Sequence, residues 1–444
     1  MKLAILALAL FAQTTEVDLP SLLQVYRQLH ASPELSGQEQ KTAKFIAEEL
    51  RRLGFEVTEE VGRYDRRPGW KSYGVVGVMK NGPGPVVLIR TDLDALPMEE
   101  KTGLPFASKV TAISASGETV PVMHACGHDL HMTCFLGTAQ ALSRNRKSWQ
   151  GTLVMVGQPA EEIGAGSAAL LRDGLYTRFP KPDFALALHT SAQLEAGKIG
   201  YCPEYTLAGV NSVDVTIRGR GGHGAYPHTA RDPIVLAAQF IQAIQTIVSR
   251  EVRPIDAGVV TVGSIHGGTK HNIIPDEVQL QLTVRYYKPE VQQLILSSIE
   301  RIAKGLALAA GLNEDRFPIV KYGEEPVPAT YNDRELTERL AQVWKREIGD
   351  DRVVQVDPVM GAEDFSRYSK DTGVRGCIFW LGAIPEAMMK EHKAQGKSLP
   401  SLHSSDLAPD AEKAIPTGIK AMVTAALELF QSGGTNQSSG PKPQ

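Results

Sequence analysis

The sequence predicts an α/β fold into which a smaller α+β domain is inserted, and two observations carry that prediction. First, three apolar runs at 86–89, 151–156 and 183–188 alternate with helical segments, and each run is followed by side chains that can bind a metal or move a proton. Such runs are typical of buried strands in an open sheet whose site lies at the strand carboxyl ends. Second, the pattern changes near residue 199 to strands in which apolar and polar residues alternate.

The first domain begins with helices in residues 19–53, where apolar side chains recur at helical spacing on either side of a break at Ser32 and Pro33. Three buried strands follow, and each ends at side chains of chemical interest. Because the carboxyl ends of parallel strands meet at one edge of a sheet, these side chains are expected to lie together. They are Asp92 and Asp94 after the first strand, Glu161 and Glu162 after the second, and His189 after the third.

The inserted domain is predicted at residues 200–312. Strands are expected at 211–218, 259–262 and 278–285 and helices at 233–248 and 289–310, which indicates a sheet with one face covered by helices. Its exposed edge strands would allow pairing with a partner chain. The first domain is thereby split into residues 16–199 and 313–430, and a strand at 377–382 leads towards a loop that contains His403.

Both ends of the chain differ in composition from the rest. Residues 1–15 combine one lysine with a short apolar run and a polar stretch, which is typical of a cleavable signal peptide and predicts export, to the periplasm or out of the cell. The same run could instead begin the first helix. Residues 431–444 are rich in Ser, Gly, Gln, Asn and Pro and are expected to be disordered.

Composition and charge exclude several classes of protein. The chain has 444 residues, of which 42% are hydrophobic, and its formal net charge is -3. That length favours more than one globular domain, and that charge gives no electrostatic reason to bind nucleic acid or an anionic membrane. After the first residues, no apolar segment reaches the roughly 18 residues of a membrane span. The spacing of the four cysteines is not that of a fold held together by disulfides. A small molecule is the expected partner.

Residues 123–131, MHACGHDLH, are the strongest indication of chemistry. One thiol, three imidazoles and one carboxylate lie within nine residues of a chain that has 4 Cys and 11 His. Cys126 and His128 are one residue apart, so both could reach one borderline-soft ion such as zinc from a tight loop. A packed or surface role is the alternative for any one of these residues.

The adjacent carboxylates Glu161 and Glu162 suit a metal hydrolase. Such an enzyme needs one carboxylate on the ion and another that moves a proton. Neighbouring side chains after a strand diverge, so only one of the pair can comfortably bind metal. Adjacent glutamates are otherwise common on solvated surfaces. With His189 and His403 they complete the set of candidate residues.

Seven motifs occur in one order, and together they resemble the metal-dependent amidohydrolase and peptidase family of hippurate hydrolases, N-acyl-amino-acid aminoacylases and auxin-conjugate hydrolases. The resemblance covers residues 19–429. The motifs are LHASPELS at 29–36, RTDLDALPM at 90–98, MHACGHDLH at 123–131, QPAEE at 158–162, GGHGAYPH at 221–228, NIIPD at 272–276 and GAEDF at 361–365.

The resemblance implies a metallopeptidase-like catalytic domain, with a central mixed sheet flanked by helices, and an inserted α+β domain for dimerisation or for use as a lid. It implies two divalent metal ions, expected to be zinc, with manganese, cobalt or nickel as alternatives. Cys126 would bridge the two ions. Carried over position by position, the implied ligands are Cys126, His128, Glu162, His189 and His403.

Further roles follow from the same resemblance. Glu161 matches the general base, and Asp94 matches a carboxylate that orients a ligand histidine. His223 would reach a catalytic site, that of the other subunit, as a donor to the developing oxyanion, with a local turn contact as the alternative. Asn272 and Arg285 would hold a substrate carboxylate, although Arg285 could equally be a surface charge. Supporting roles around the ligands are assigned to His124, Asp129 and His131.

The implied activity is hydrolysis of the amide bond of N-acyl amino acids, which releases a carboxylic acid and an amino acid. The enzyme is expected to be a homodimer formed through the inserted domain. One alternative is a carboxypeptidase or dipeptidase with the same metal centre. The other is a metal-binding protein of the cell envelope without catalytic activity, but Glu161 argues against it because a pure binding site needs no unligated base.

Overall fold

The computed structural model describes residues 17–323 and 325–431. These divide into two compact units. The large unit comprises the described residues up to Glu204, Tyr331–Asp357 and the described residues from Asp364 onward, and the small unit comprises the described residues of Tyr205–Thr330 together with Pro358–Glu363. The predicted signal peptide at 1–15 and all but the first residue of the predicted tail lie outside the described residues. Gln431 itself still belongs to the last helix.

The described elements alternate along most of the chain. The helices are α1 Leu19–His30, α2 Gln40–Arg52, α3 His128–Arg144, α4 Gly166–Arg172, α5 Leu175–Arg178, α6 Pro233–Thr246, α7 Pro289–Ala309, α8 Arg334–Ile348, α9 Ser366–Ser369, α10 Glu386–Gln395 and α11 Ala411–Gln431. The strands are β1 Glu56–Val61, β2 Gly74–Asn81, β3 Val86–Asp92, β4 Thr111–Ile113, β5 Thr119–Pro121, β6 Gly151–Gln158, β7 Phe184–Glu195, β8 Ile199–Tyr201, β9 Glu204–Leu207, β10 Gly209–Arg218, β11 Gly222–His223, β12 Gly258–His266, β13 Ile273–Ile274, β14 Glu277–Tyr286, β15 Ile319–Tyr322, β16 Thr330–Asn332, β17 Val353–Gln355 and β18 Arg375–Ile384.

The large unit is built on an eight-stranded mixed sheet of order β1-β2-β6-β3-β7-β18-β8-β17. Its four middle strands, β6, β3, β7 and β18, are parallel, whereas β1 and β2 add antiparallel at one edge. The middle strands are apolar on both faces because helices cover both sides. This architecture confirms the predicted α/β class with a central mixed sheet flanked by helices.

Helix α3 is the central helix of the large unit, and almost every residue from His128 to Leu142 is buried. It packs against α1 and α11. Glycine allows the close approach to α11, since a Cβ at Gly418 would lie 2.7 Å from the sulfur of Cys134 and a Cβ at Gly137 would lie 2.3 Å from Cδ1 of Ile419. The buried helix presents its first turn, which carries the histidines, at the carboxyl edge of the parallel strands.

The small unit contains a four-stranded antiparallel sheet of order β12-β14-β10-β15. Buried and exposed residues alternate along β10 and β14, because only one sheet face packs against α6 and α7. Strand β15 pairs with β10, so the sheet continues past residue 312 and the unit extends to Thr330.

Several elements of the large unit have no counterpart among the predicted elements, including the short strands β4, β5, β8 and β17. The antiparallel pair β1 and β2 was not predicted, and β7 continues beyond His189 to Glu195.

In the described part of the chain, no helix combines the length and apolar character that crossing a bilayer requires. All four cysteines are buried and none of them forms a disulfide.

Candidate metal centre

The parallel strands place their terminal side chains at one edge of the sheet. Asp92, the last residue of β3, pairs with Gln158, the last residue of β6. His189 lies on β7, the strand on the other side of β3. Asp92 and Gln158 are fully buried and His189 is nearly so. Polar side chains buried together at a sheet edge require specific partners, and those partners define the candidate metal centre.

Cys126 and His128 reach this edge through a tight turn at Gly127. Gly127 has a left-handed φ of 80°, and a Cβ there would lie 2.6 Å from Oγ1 of Thr190. Only glycine fits such a conformation at so close an approach. Helix α3 then starts at His128. The turn therefore brings a thiol and an imidazole to the same side of the backbone, beside β7.

The ring of His128 is oriented by the main chain. Its Nδ1 donates to the carbonyl oxygen of Asp94 at 2.8 Å, so in the neutral ring Nε2 carries the lone pair. Nε2 is buried and has no hydrogen-bond partner among residues 17–323 and 325–431. Burial alone would lower the pKa of His128, but the carboxylates of Asp92 and Asp94 and the thiol of Cys126 outweigh burial and raise it.

Three carboxylates surround that lone pair. Nε2 of His128 lies 3.7 Å from Oδ2 of Asp92, 3.8 Å from Oε2 of Glu161 and 3.7 Å from Oε1 of Glu162. These distances are too long for hydrogen bonds and leave room for a cation among the four groups. A buried lone pair surrounded by carboxylates is the environment in which a metal ion would restore the balance of charge.

His189 and Cys126 face each other. Nδ1 of His189 donates to the carbonyl oxygen of Thr190 at 2.9 Å, so its Nε2 presents a lone pair, 3.6 Å from Sγ of Cys126. Burial, with a smaller contribution from His131, lowers the pKa of His189 well below its usual range. Burial, with Glu162 close by, raises the pKa of the Cys126 thiol. A bound divalent cation would favour the thiolate that such burial disfavours.

His403 approaches from the far end of the chain. Its backbone N–H donates to the carbonyl of Ala125 at 2.8 Å, and its φ of 60° is left-handed. Its Nε2 lies 3.4 Å from Oε2 of Glu162. The side chain is 52% exposed, whereas that of Glu162 is 6% exposed. His403 therefore forms the solvent side of the centre.

The five predicted ligands thus fall into two groups that share Cys126. Cys126, His128 and His189 bring their ligand atoms within 4.8 Å of one another, and so do Cys126, Glu162 and His403. A shared thiolate with imidazole and carboxylate donors suits divalent ions of borderline softness. The unpartnered Nε2 of His128 supports the same fit, so these residues could hold two divalent metal ions.

His131 has no ring nitrogen available for a metal. The backbone N–H of Thr190 donates to its Nε2 at 2.7 Å, so Nδ1 carries the proton and donates to Oδ1 of Asp92 at 2.8 Å. Arg90, whose side chain is fully buried, donates in turn to Oδ2 of Asp92 at 2.8 Å. His131 therefore orients Asp92 and the β7 segment next to His189.

Asp94 supports the carboxylate pair as well as His128. Its Oδ2 accepts from Oγ of Ser36 at 2.6 Å and from the backbone N–H of Glu162 at 3.0 Å. Burial would raise the pKa of Asp94, but His128 and these hydrogen bonds lower it. Asp94 therefore fixes both the ring of His128 and the main chain of Glu162, two of the candidate ligands.

The other predicted site residues lie in the small unit. His223 is exposed on β11, which pairs with β13, so that it lies beside Asn272. The N–H of Ala225 donates to Nδ1 of His223 at 3.0 Å, so a neutral ring carries its proton on Nε2. Arg285 is half-buried on β14, where its Nε donates to Oγ1 of Thr283 at 3.2 Å and burial lowers its pKa.

Several residues that hold the centre were not singled out from the sequence. Arg90 donates to Oδ1 of Asp364 at 3.2 Å, and Nε2 of Gln158 donates to the same oxygen at 2.6 Å. Oε1 of Glu39 accepts from the backbone N–H of Ala160, just before Glu161, at 2.8 Å. Arg90 and Asp364 belong to motifs that the sequence displays, but no local pattern links them. Glu39 had one signal, which is that it occupies the N-cap position of a helix, where Ser, Thr, Asp and Asn are preferred.

Comparison with known proteins places this geometry in a family. The sequence matches peptidase family M20/M25/M40 over residues 88–428. It is 35% identical over 406 residues to N-acetyldiaminopimelate deacetylase from Oenococcus oeni, which covers 90% of this chain and 96% of that protein. It is 34% identical over 368 residues to thermostable carboxypeptidase 2 from Saccharolobus solfataricus, which covers 82% of this chain and 86% of that protein.

A solved structure agrees with the sequence comparisons. The crystal structure of a dinuclear metal-binding peptidase of family M20 from Bacillus subtilis matches with a TM-score of 0.74 and 28% sequence identity. The match covers 93% of this chain and 98% of that one. The chain therefore belongs to peptidase family M20/M25/M40, and it is a hydrolytic enzyme of that family.

Proposed function

We propose that this enzyme hydrolyses the amide bond of N-acyl amino acids and releases a carboxylic acid and an amino acid. The observation that carries the proposal is the pair of ligand groups that share Cys126, beside a Glu161 carboxylate 3.8 Å from Nε2 of His128. The relative from Oenococcus oeni is named for deacetylation of N-acetyldiaminopimelate, which supports an acylated amino acid as the substrate class.

Two divalent ions, which we propose to be zinc, would be held by the five ligands. Cys126, His128 and His189 would hold one ion, and Cys126, Glu162 and His403 would hold the other. When bound in such a site, divalent ions lower the pKa of water and polarise a carbonyl oxygen. The residues of the chain supply the remaining functions.

Glu161 is the proposed general base. It lies beside the ligands with only 8% of its surface exposed, so its carboxylate faces the centre rather than bulk water. It would take one proton from the attacking water as the new carbon–oxygen bond forms. It would then pass that proton to the amide nitrogen as the carbon–nitrogen bond breaks, so that the leaving group departs as a neutral amine.

The small unit would complete the reaction in a homodimer. We propose that Nε2–H of His223 donates to the developing oxyanion in the partner's site, and that Asn272 and Arg285 hold the substrate carboxylate. The exposed position of His223 and the proton on its Nε2 support this role. Strand β12 would form the dimer contact, because it is one edge of its sheet and carries the exposed Ile265.

A carboxypeptidase activity is the second candidate. The 34% identity to thermostable carboxypeptidase 2 supports it, and it would use the same ligands and the same base. The two candidates differ in the substrate pocket rather than in the metal centre. Hydrolysis rates for a panel of N-acyl amino acids and of dipeptides, measured on one preparation, would decide between them.

The decisive experiment combines this panel with Glu161→Gln. We expect hydrolysis of acylated amino acids to be lost on chelation and restored by zinc, with about two ions per chain by elemental analysis. We expect Glu161→Gln to lower kcat by at least roughly 1,000-fold with its metal content unchanged, since the amide cannot accept the proton. Full activity in Glu161→Gln would show that the mechanism is wrong.

A further inference from the structure

Glu39 carries a buried carboxyl group that the proposed mechanism does not use. It directly precedes α2, yet its side chain makes no capping bond to that helix. Its Oε1 instead accepts from the backbone N–H groups of Gly37 and Ala160, each at 2.8 Å. The residue is fully buried, and Oε2 has no hydrogen-bond partner in the described part of the chain. Burial, with Asp94 close by, raises the pKa of Glu39 to about 8, and the one long-range bond of this buried group in the described part of the chain is the bond to Ala160.

Ala160 has a backbone conformation that needs external support. Its φ is 53°, in the left-handed region, which costs a residue with a Cβ about 1 kcal/mol or more. Both polar groups of its backbone are bonded, because Glu39 holds the N–H and the carbonyl accepts from Ala165 and Gly166 at 3.1 Å each. Ala160 is the residue immediately before Glu161, so this turn sets the direction of the Glu161 side chain.

The residue after Glu161 is held from the same side. The backbone N–H of Glu162 donates to Oδ2 of Asp94, and Oγ of Ser36 donates to that same oxygen. Ser36 and Glu39 lie three residues apart in the loop between α1 and α2. This loop therefore fixes the main chain on both sides of Glu161, directly through Glu39 and indirectly through Asp94.

We propose that Glu39 is a positioning residue for Glu161. By holding the N–H of Ala160 it maintains the left-handed turn that directs the Glu161 carboxylate at the metal centre. The inference rests on the proposed function, in which Glu161 is the general base. Glu39 bonds to the backbone of the loop and to none of the five ligands, so its loss should disturb the base and leave metal loading and substrate binding intact.

Three substitutions at one position test the proposal. Glu39→Ala removes the acceptor, Glu39→Asp is one methylene too short to reach Ala160, and Glu39→Gln keeps an acceptor oxygen. A misplacement of about 1 Å can cost about 100-fold, so we expect the Ala and Asp variants to lower kcat by roughly 30- to 100-fold with KM and metal content unchanged. Glu39→Gln should keep kcat within about 3-fold of the parent.

Glu34 offers a matched control in the same loop. Its Oε2 accepts from the backbone N–H and Oγ1 of Thr42 at 2.8 and 2.9 Å, so it caps α2 and makes no side-chain bond to residues 158–166. Glu34→Ala removes a carboxylate of the same kind and should lower the melting temperature while kcat stays unchanged. A comparable fall in kcat in Glu34→Ala would mean that any damage to this loop lowers turnover, and would overturn the proposal.

A second measurement tests the turn itself. Glycine adopts the left-handed conformation without a steric cost, so in an Ala160→Gly background the loss caused by Glu39→Ala should be smaller than in the parent. Strictly multiplicative effects on kcat would contradict the inference. So would a crystal structure of Glu39→Ala in which residues 160–162 keep their backbone conformation. If Glu39→Ala does not fold, the contrast between Glu39→Asp and Glu39→Gln decides.

The outcomes separate this inference from the proposed function. An active Glu161→Gln rejects the proposed function itself. An inactive Glu161→Gln together with unchanged kcat in Glu39→Ala and Glu39→Asp overturns only the role of Glu39. A loss in Glu39→Gln as large as that in Glu39→Ala also overturns it, because the acceptor oxygen would then not be what matters.

Discussion

At the scale of single residues, hydrogen bonds to the main chain decide which histidine can bind a metal. His128 and His189 each donate Nδ1–H to a carbonyl, which leaves Nε2 with a lone pair that faces the centre. His131 has the opposite arrangement, because a backbone N–H occupies its Nε2. Three imidazoles within a few ångströms of each other are therefore suited to different roles, because the backbone around them determines which ring nitrogen is available.

His223 is also oriented by a hydrogen bond to the main chain. Its Nδ1 accepts from the main chain, so Nε2–H is available as a donor. If that donor serves an oxyanion, His223→Ala should lower kcat by about 100-fold with little change in KM. Steady-state kinetics on an N-acyl amino acid measure both. His228→Ala, a substitution of an exposed histidine in the same segment, is the control and should keep full activity. An effect of His223→Ala on KM alone would exclude the oxyanion role.

His30 predicts a dependence of stability on pH. Its Nδ1 lies 2.7 Å from Asp129 and its Nε2 lies 3.0 Å from Glu100. Burial alone would lower the pKa of His30, but these two carboxylates outweigh burial and raise it to about 10. An unfolded histidine has a pKa of about 6.5, so the stabilisation is complete below about pH 6.5 and is lost as the pH rises to about 10.

The measurement is urea unfolding between about pH 7 and pH 10. The free energy of unfolding should fall more steeply with pH in the parent protein than in His30→Gln, because only the parent loses the charged contact. His228→Gln should follow the parent. Equal slopes for the parent and His30→Gln would contradict the assignment of a protonated His30.

At the scale of elements, the close crossing of α3 and α11 limits the size of the side chains that each helix can carry at the contact. A Cβ at Gly418 would lie 2.7 Å from Sγ of Cys134 and 2.8 Å from Cδ2 of Leu381. We expect Gly418→Ala to destabilise the protein by about 1–3 kcal/mol, because overpacking in a buried interface forces side chains to shift. Urea denaturation of the metal-loaded enzyme measures the change.

Gly305 is the matched control for this substitution. It also lies inside a helix, α7, but it is exposed and a Cβ there would meet no atom within 4 Å. Gly305→Ala should stabilise the protein by about 0.5–1 kcal/mol through helix propensity alone. If Gly418→Ala stabilised the protein as Gly305→Ala does, that result would contradict the close approach of α3 and α11.

The sequence predicted the elements that have strong patterns and missed those that lack them. Strands β3, β6 and β7 are apolar runs, and β10 and β14 alternate, so their existence followed from the residues. Strand β1 contains three glutamates and β2 contains two glycines, so neither reads as a strand of the main sheet. Their place in the sheet depends on the pairing of β2 with β6 and of β1 with β2, which no local pattern reveals.

At the scale of the whole molecule, the proposed homodimer makes a prediction about the small sheet. Strands β12 and β15 are its two edges, and Ile265 and Ile319 are exposed on them, at 49% and 39%. Because a charge on an edge strand opposes pairing, Ile265→Lys should give a monomer with its metal content intact. Ile319→Lys, on the opposite edge, should remain a dimer. Sedimentation velocity distinguishes the two, and a dimer of Ile265→Lys would exclude β12 as the contact.

The extent to which the candidate centre was predictable depends on the kind of residue. Cysteine and histidine are rare in the chain, so a cluster of them can be seen in the sequence, and strand ends supplied Glu161, Glu162 and His189. Supporting residues such as Glu39 and Arg90 belong to common types, and their roles come from hydrogen bonds that span many residues, from Glu39 to Ala160 and from Arg90 to Asp364. Only the folded chain shows these pairs.

The backbone bond from His403 to Ala125 has a consequence for the order in which the protein assembles. Cys126, His128 and His189 all lie in the first half of the chain, whereas His403 lies near its end. During synthesis on the ribosome, three ligands that share one candidate ion emerge long before the residue that completes the other group. Closing so long a loop is slow, so we expect Cys126, His128 and His189 to come together before the group that needs His403.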